Sequence, residues 1–278
     1  MVVVMLDKLF VFDIETIPDT DILENLTGSV TQNPLEKRKE LEEYHIEVSG
    51  GNPFPRQPFH KVVSVSILIA DIVKTNNYEY YEIVKLGTIS SLDNTESGIV
   101  SKFFDYLCKY IPRIVSYNGR TFDIPVMKYR AMKYGISIEN LFKSGDKWNN
   151  YAQRYSLDWH CDLLEVLSDF GASARCKMNE ICSILGIPGK IGIDGSKVTE
   201  LYDQNLLKTI DDYCETDVLN TYLIYLNYAL LSGLTNRENF INMNQDVIKY
   251  LKQKNLSYSA EFLEQWEKVD GRGLDFKS

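Results

Sequence analysis

A chain of 278 residues that is 44% hydrophobic and 25% charged can bury one substantial core, and this is the composition of an ordinary globular protein. Its formal net charge of −9 argues against a protein that coats nucleic acid by bulk electrostatics, since such binders carry a basic face that releases counterions from phosphates. Five scattered cysteines without C-x-x-C spacing suit reduced thiols and a cytoplasmic setting better than a disulfide framework.

The opening MVVVMLDKLFVFDI lacks a basic leader and a small-residue cleavage site, and acids interrupt its apolar run, so it reads as neither a secretion signal nor a membrane span. Residues 8–15 (KLFVFDIE) have the Val, Ile and Phe content and partial period-two pattern of a strand. An insertion at 19–60 follows, with a charged helical piece (LEKRKELEEY) and a Pro-rich run (NPFPRQPFH); connections of this length are lids or solvated excursions. Strands are predicted again at 61–71 and 78–86, then a helix at 96–110 with Ile99, Phe103 and Leu107 on one stripe and Pro112 beyond its end. RIVSYNG, 113–119, reads as a fourth strand ending in a Gly turn. From 123 onward the period is helical: DIPVMKYRAMKYG, DLLEVLSDF, MNEICSILGI and DDYCETDVLNTYLIYLNYALLSG, with Gly233 as its C-terminal stop. Two amphipathic helices over 235–268 and a frayed tail, GRGLDFKS, form a C-terminal extension. This order predicts an α/β fold, a mixed sheet flanked by helices, in one domain over 1–278.

Three groups of residues carry candidate chemistry. Asp13 and Glu15 are spaced i and i+2, so on a strand they share one face while Phe12 and Ile14 take the other. Carboxylates held that close repel each other unless a cation neutralises them, and hard oxygen ligands suit Mg²⁺ or Mn²⁺. The plain alternative is an edge strand with its acids in water. In SYNGRTFDIP, Asn118 and Asp123 stand where a strand gives way to a helix, the edge at which open α/β sheets place ligands. Taken alone, Asp123 is more simply a helix N-cap. In YCETDV, Tyr213 and Asp217 are spaced i and i+4 on one helical face and Glu215 points away; an exposed Asp beside a half-buried Tyr is the bland reading.

Together, FDIET, N-G-x-x-F-D and Y-x-x-x-D resemble the three exonuclease motifs of the DEDD superfamily of 3'-5' exonucleases, in the subclass with Tyr in the third motif. SYNGRTFDIPVM and YCETDVLNTYLIYLNY are similar to stand-alone predicted exonucleases related to the proofreading domain of family B DNA polymerases. The resemblance runs from residue 9 to about 233. It implies a ribonuclease H-like fold with about five strands. It further implies that Asp13, Glu15, Asp123 and Asp217 bind two divalent cations, Mg²⁺ or Mn²⁺, and that Tyr213 orients the attacking water. Asn118 and the backbone at Thr16 and Ile17 would contact the terminal nucleotide, with Phe122 stacking nearby. The implied activity is removal of nucleotides from the 3' end of single-stranded nucleic acid, DNA ahead of RNA. An exoribonuclease, a circle-cutting endonuclease and a non-catalytic binding module on the same fold are the competing expectations.

Lys128, Arg130, Lys133, Lys143, Lys147 and Arg154 make the middle of the chain locally basic, the charge pattern of a phosphate track or of a solvated face. His160 and Asp162 read as structural, because no third ligand stands at metal-binding spacing.

Overall fold

The computed structural model of the chain describes residues 6–192 and 194–270, so the predicted tail at 271–278 lies outside the described residues. Strands β1 (Lys8–Pro18), β2 (His60–Thr75), β3 (Tyr78–Ser90), β4 (Arg113–Ser116) and β5 (His160–Asp162) form one mixed sheet in the order β3-β2-β1-β4-β5. The first three strands pair antiparallel, and β4 and β5 join parallel to β1. This is the five-stranded mixed sheet that the motif resemblance implies. The fourth strand is shorter than the sequence pattern suggests, because Asn118 turns to a left-handed φ of 70°.

Before β2 come α1 (Leu23–Thr27) and α2 (Pro34–Ser49), within the insertion. After β3 come α3 (Glu96–Tyr110), α4 (Asp123–Lys133) and α5 (Glu139–Lys143). Past β5 lie α6 (Leu163–Leu167), α7 (Met178–Leu185), α8 (Val198–Asp203), α9 (Leu207–Leu231), α10 (Arg237–Lys254) and α11 (Ser259–Asp270). Gly233, just beyond α9, takes the left-handed φ of 76° expected of a helix stop.

Strand alternation divides the core between two faces. Phe10, Phe12 and Ile14 pack on one face with Phe103, Phe104 and Leu107 of α3 and Val126 of α4. Leu9 and Val11 pack on the other with Val218, Tyr222 and Tyr225 of α9, Val247 of α10 and Trp266 of α11. The C-terminal helices therefore complete this second core. The long helix α9 is buried along most of its length, as its mixed apolar and polar pattern allows only when sheet, α7 and α10 surround it.

The insertion is not a free excursion. His45 of α2 is buried against the Phe59 ring at 4.7 Å, and Arg38 pairs with Asp203 of α8. The basic run in the middle of the chain is also dispersed rather than continuous. Arg130 is 2% exposed and bonded to Asp19, at 2.5 Å, and to Glu96; Lys133 joins Asp19 at 2.9 Å, and Lys143 pairs with Glu139. Burial pushes the Asp19 carboxyl upward, but the bonds from Arg130 and Lys133 outweigh it and hold the group below its usual range.

Removing one member of such a buried network leaves its partners charged and desolvated. Arg130→Met is expected to lower stability by roughly 3–5 kcal/mol in urea unfolding. A loss under about 1 kcal/mol, the worth of a surface pair, would show that water reaches Asp19 and Glu96.

Candidate active site

Asp13 and Glu15 leave β1 toward α9, while Phe12 and Ile14 enter the opposite core. The β1–β2 register shifts between Glu15 and Thr16, so Val63 has no partner there; a bulge of this kind re-aims the strand beside the acids. Asp123 opens α4, yet it is not the cap that its position suggests. The residue in the cap position is Phe122, and the Asp123 Oδ1 instead accepts the Ile14 N–H at 3.2 Å. That bond, from the residue between the first two acids, fixes the third beside them. Gly119 makes the approach possible, since a Cβ there would meet Ser116 at 2.6 Å.

From α9, Tyr213 and Asp217 enter the same cleft at i and i+4. Both are 3% exposed, which removes the reading of an exposed Asp. Glu215 points away as expected, bonded to Thr88 and Tyr258 at 2.7 Å each. The cleft, about 530 Å³, is thus lined by Asp13, Glu15, Asp123, Asp217 and Tyr213, together with Asn118 and Phe122.

Two further expected residues sit behind it. The Thr16 hydroxyl donates to His60 Nδ1 at 2.9 Å, and Ile17 is buried with Val63, Ile210 and Tyr213. Phe122 meets the His60 ring at 4.9 Å and Phe54 of the insertion at 6.0 Å, so this wall of the cleft is backed by the insertion.

Burial raises the carboxyl pKa of all four acids. For Asp13 the charges of Asp123, Glu15 and Asp217 add to it, and Glu15 is raised further by Asp217. Asp123 is pushed up to about 7. Among the described residues, Lys190 pairs with one of them: its Nζ lies 3.0 Å from Asp217 Oδ2 and bonds to the Tyr213 hydroxyl. The Asp217 Oδ1 is buried without a hydrogen-bond partner among the described residues. Burial, then the charges of Asp217, Glu15 and Asp13, drive the Tyr213 phenol far above its ordinary value, so it holds its proton.

Lys190 was not legible in the sequence, where the only local signal is the Pro188-Gly189 turn before it. Its loop is anchored by α9, as Asn220 bonds both Gly189 N, at 3.1 Å, and Gly189 O, at 2.7 Å. Cys214 is buried with its Sγ 3.4 Å from the Asp13 carbonyl oxygen, to which it donates. Asp162 is structural as read: its carboxylate accepts the N–H groups of Asn118, at 2.9 Å, and Arg120, at 2.8 Å, and so holds the turn ahead of Asp123.

A family model described as predicted 3'-5' exonuclease related to the exonuclease domain of PolB matches residues 52–266. The chain belongs to this family. The match starts after β1, so Asp13 and Glu15 are joined to the matched segment by the sheet geometry rather than by the match. DNA polymerase 1 of Saccharolobus solfataricus is 30% identical over 118 residues, 40% of this chain and 13% of that polymerase. DNA polymerase 1 of Sulfurisphaera ohwakuensis is 28% identical over 104 residues, 36% of this chain and 12% of that protein. The chain thus spans about an eighth of the length of the curated relatives it matches. Among the described residues, no helix is long and apolar enough to cross a membrane.

Behind the cleft, His160 Nε2 meets Ser116 Oγ at 2.8 Å, and burial holds its pKa well below the ordinary value. The folded chain refuses a proton that the unfolded chain accepts below about pH 6.5, so this contribution is complete above that pH and lost as pH falls through it. The raised carboxyls of the cleft act in the opposite sense. The melting temperature of the unmutated chain relative to His160→Gln is therefore expected to decline between about pH 7 and pH 5; a constant difference would place a charged imidazole in the folded state.

Proposed function

We propose that this chain is a 3'-5' exonuclease that hydrolyses phosphodiester bonds at the 3' end of single-stranded nucleic acid, DNA ahead of RNA, with two divalent cations, Mg²⁺ or Mn²⁺. One observation carries the reading: in a member of this exonuclease family, strand, turn and helix bring three buried carboxylates, the half-buried Asp13, Tyr213 and Lys190 into one cleft.

The donor set fits hard divalent ions. Four carboxylates with raised pKa values are paired, through Asp217, with the Lys190 ammonium, and the buried Asp217 Oδ1 has no partner among the described residues. Asp13, Glu15, Asp217 and Asp123, the last with Oδ1 engaged by Ile14, would hold the ions. Bound there, the ions would neutralise charge building at the scissile phosphate and favour ionisation of the attacking water. Tyr213, held in the cleft beside Asp217 and Lys190, would orient that water. Lys190, already between Tyr213 and Asp217, supplies a positive charge to phosphoryl oxygens. Asn118 and Phe122, on the cleft wall, would receive the terminal nucleotide. The names of the two curated relatives, both DNA polymerases, support DNA over RNA.

Matched DNA and RNA oligonucleotides labelled at the 5' end test the activity with added Mg²⁺ or Mn²⁺. A ladder shortening from the 3' end is expected, faster on DNA, with circular single strands left whole. Tyr213→Phe should lower kcat by roughly 10- to 100-fold, the scale of lost positioning. Cut circles, or full turnover by Tyr213→Phe, would contradict the reading.

Metal binding has its own readout. At Mn²⁺ concentrations about 100 times the dissociation constant, the folded state gains about 2.7 kcal/mol, and the melting temperature rises accordingly. Asp13→Ala is expected to abolish the rise while stabilising the metal-free protein, because it removes one of four repelling charges. No shift in the unmutated chain would favour a binding module.

A further inference from the structure

We propose that an arginine and aromatic platform beside the cleft, formed by Arg154, Tyr155 and Phe170, binds the single strand that leads into it, 5' of the nucleotide being removed. The inference rests on the exonuclease reading for its direction, and on three observations of its own.

First, three guanidinium groups converge on one carboxylate. Glu165, 4% exposed, accepts Arg154 at 2.7 Å and lies 3.6 Å from Arg175 and 3.8 Å from Arg120. Arg175 itself lines the cleft. Asp162 faces Arg120 as well and Asp169 is nearby, so the cluster is close to charge balance, but what it turns outward is guanidinium: the Arg154 and Arg175 side chains are 41% and 46% exposed, whereas Glu165 and Asp162 are buried. Of the basic residues in the middle of the chain, Arg154 is thus linked to the cleft wall while Arg130 is buried in its own network.

Second, the backbone is strained to build the platform. Asp169, Phe170 and Gly171 all have positive φ, at 46°, 56° and 94°. Two of the three are not glycine, and left-handed backbone disfavours a side chain with a Cβ. The strain delivers the Phe170 carbonyl to Arg154, at 3.0 Å, and sets the Phe170 ring 4.7 Å from Tyr155. Outliers of this kind cluster where a surface must hold a ligand.

Third, Tyr155 is 70% exposed, although its neighbour ring fixes it from one side. An aromatic ring with one free face next to cations is what a strand of unpaired bases requires: stacking accepts any base, and the guanidinium groups answer the phosphates. An acidic peptide would use the arginines but gain nothing from the ring.

Anisotropy of a labelled 12-mer of deoxythymidine in EDTA tests the platform without cleavage. Tyr155→Ala should weaken binding about tenfold and Tyr155→Trp should restore it. Arg154→Gln should flatten the slope of log affinity against log salt by roughly 0.7. In turnover, Tyr155→Ala should raise KM for the 12-mer with kcat held, and the effect should vanish on a dinucleotide too short to reach the platform. Unchanged affinity in Tyr155→Ala, or equal competition by poly-glutamate in the unmutated chain and in Tyr155→Ala, overturns the proposal. Weakened binding with no hydrolysis of any substrate would instead sink the exonuclease reading and leave the platform standing.

Discussion

Four carboxylates in one cleft repel one another and lose hydration as they are buried, and the rest of the fold has to hold them there against both costs. A loop could not, because it would relax and let the charges part. Each acid is therefore rooted in an element that is itself packed on both sides. Asp13 and Glu15 stand on β1, the middle strand of the sheet; Asp123 is pinned to the backbone of that strand; Asp217 rides on a helix buried against the sheet. The bond from Ile14 to Asp123 couples two of these roots directly, so that the spacing of three acids follows from one strand position.

How much of this could be read in the sequence depends on where each constraint arises. Period-two alternation decided the face of Asp13 and Glu15, since Phe12 and Ile14 had to enter a core. The i, i+4 spacing of Tyr213 and Asp217 likewise fixed a shared helical face. Both are local rules, and both held. The last strand, His160–Asp162, was passed over because three residues carry no period; it exists through pairing with β4. Local preference also favoured Asp123 as a cap, and tertiary bonding to Ile14 overrode it. The long basic run misled for a related reason: a count of lysines and arginines along a chain does not reveal that Arg130 points inward to Asp19 and Glu96. Lys190 lay on a loop with no repeating pattern, and only the folded chain brings it to α9.

The insertion between β1 and β2 shows how a segment without strong pattern acquires a role through contacts. His60, where the insertion rejoins the sheet, donates from Nε2 to the Pro55 carbonyl and accepts from Thr16 at Nδ1, so its neutral tautomer is set by two bonds. Burial lowers its pKa in the same direction. Gln57 reaches the Thr121 carbonyl at 3.1 Å, and Phe54 covers Phe122. The turn that presents Asn118 and Asp123 is thereby gripped from two sides, by the insertion on one and by Asp162 on the other.

Helix α9 carries the argument one step further. Tyr213, Asp217 and Asn220 follow one another at i, i+4 and i+7 along a single face. The first two face the cleft, and the third ties down the loop that presents Lys190. A change in the rotation of this helix would move phenol, carboxylate and ammonium together, so their mutual geometry is protected even where the sheet shifts. Yet the loop is held through the backbone of Gly189 and Lys190, the latter donating its N–H to Asn179 at 2.7 Å, and not through the lysine stem. The ammonium is held only at its tip, by Asp217 and the Tyr213 hydroxyl. It offsets the acids in the metal-free chain, and on the proposed reading it would exchange Asp217 for a phosphate oxygen.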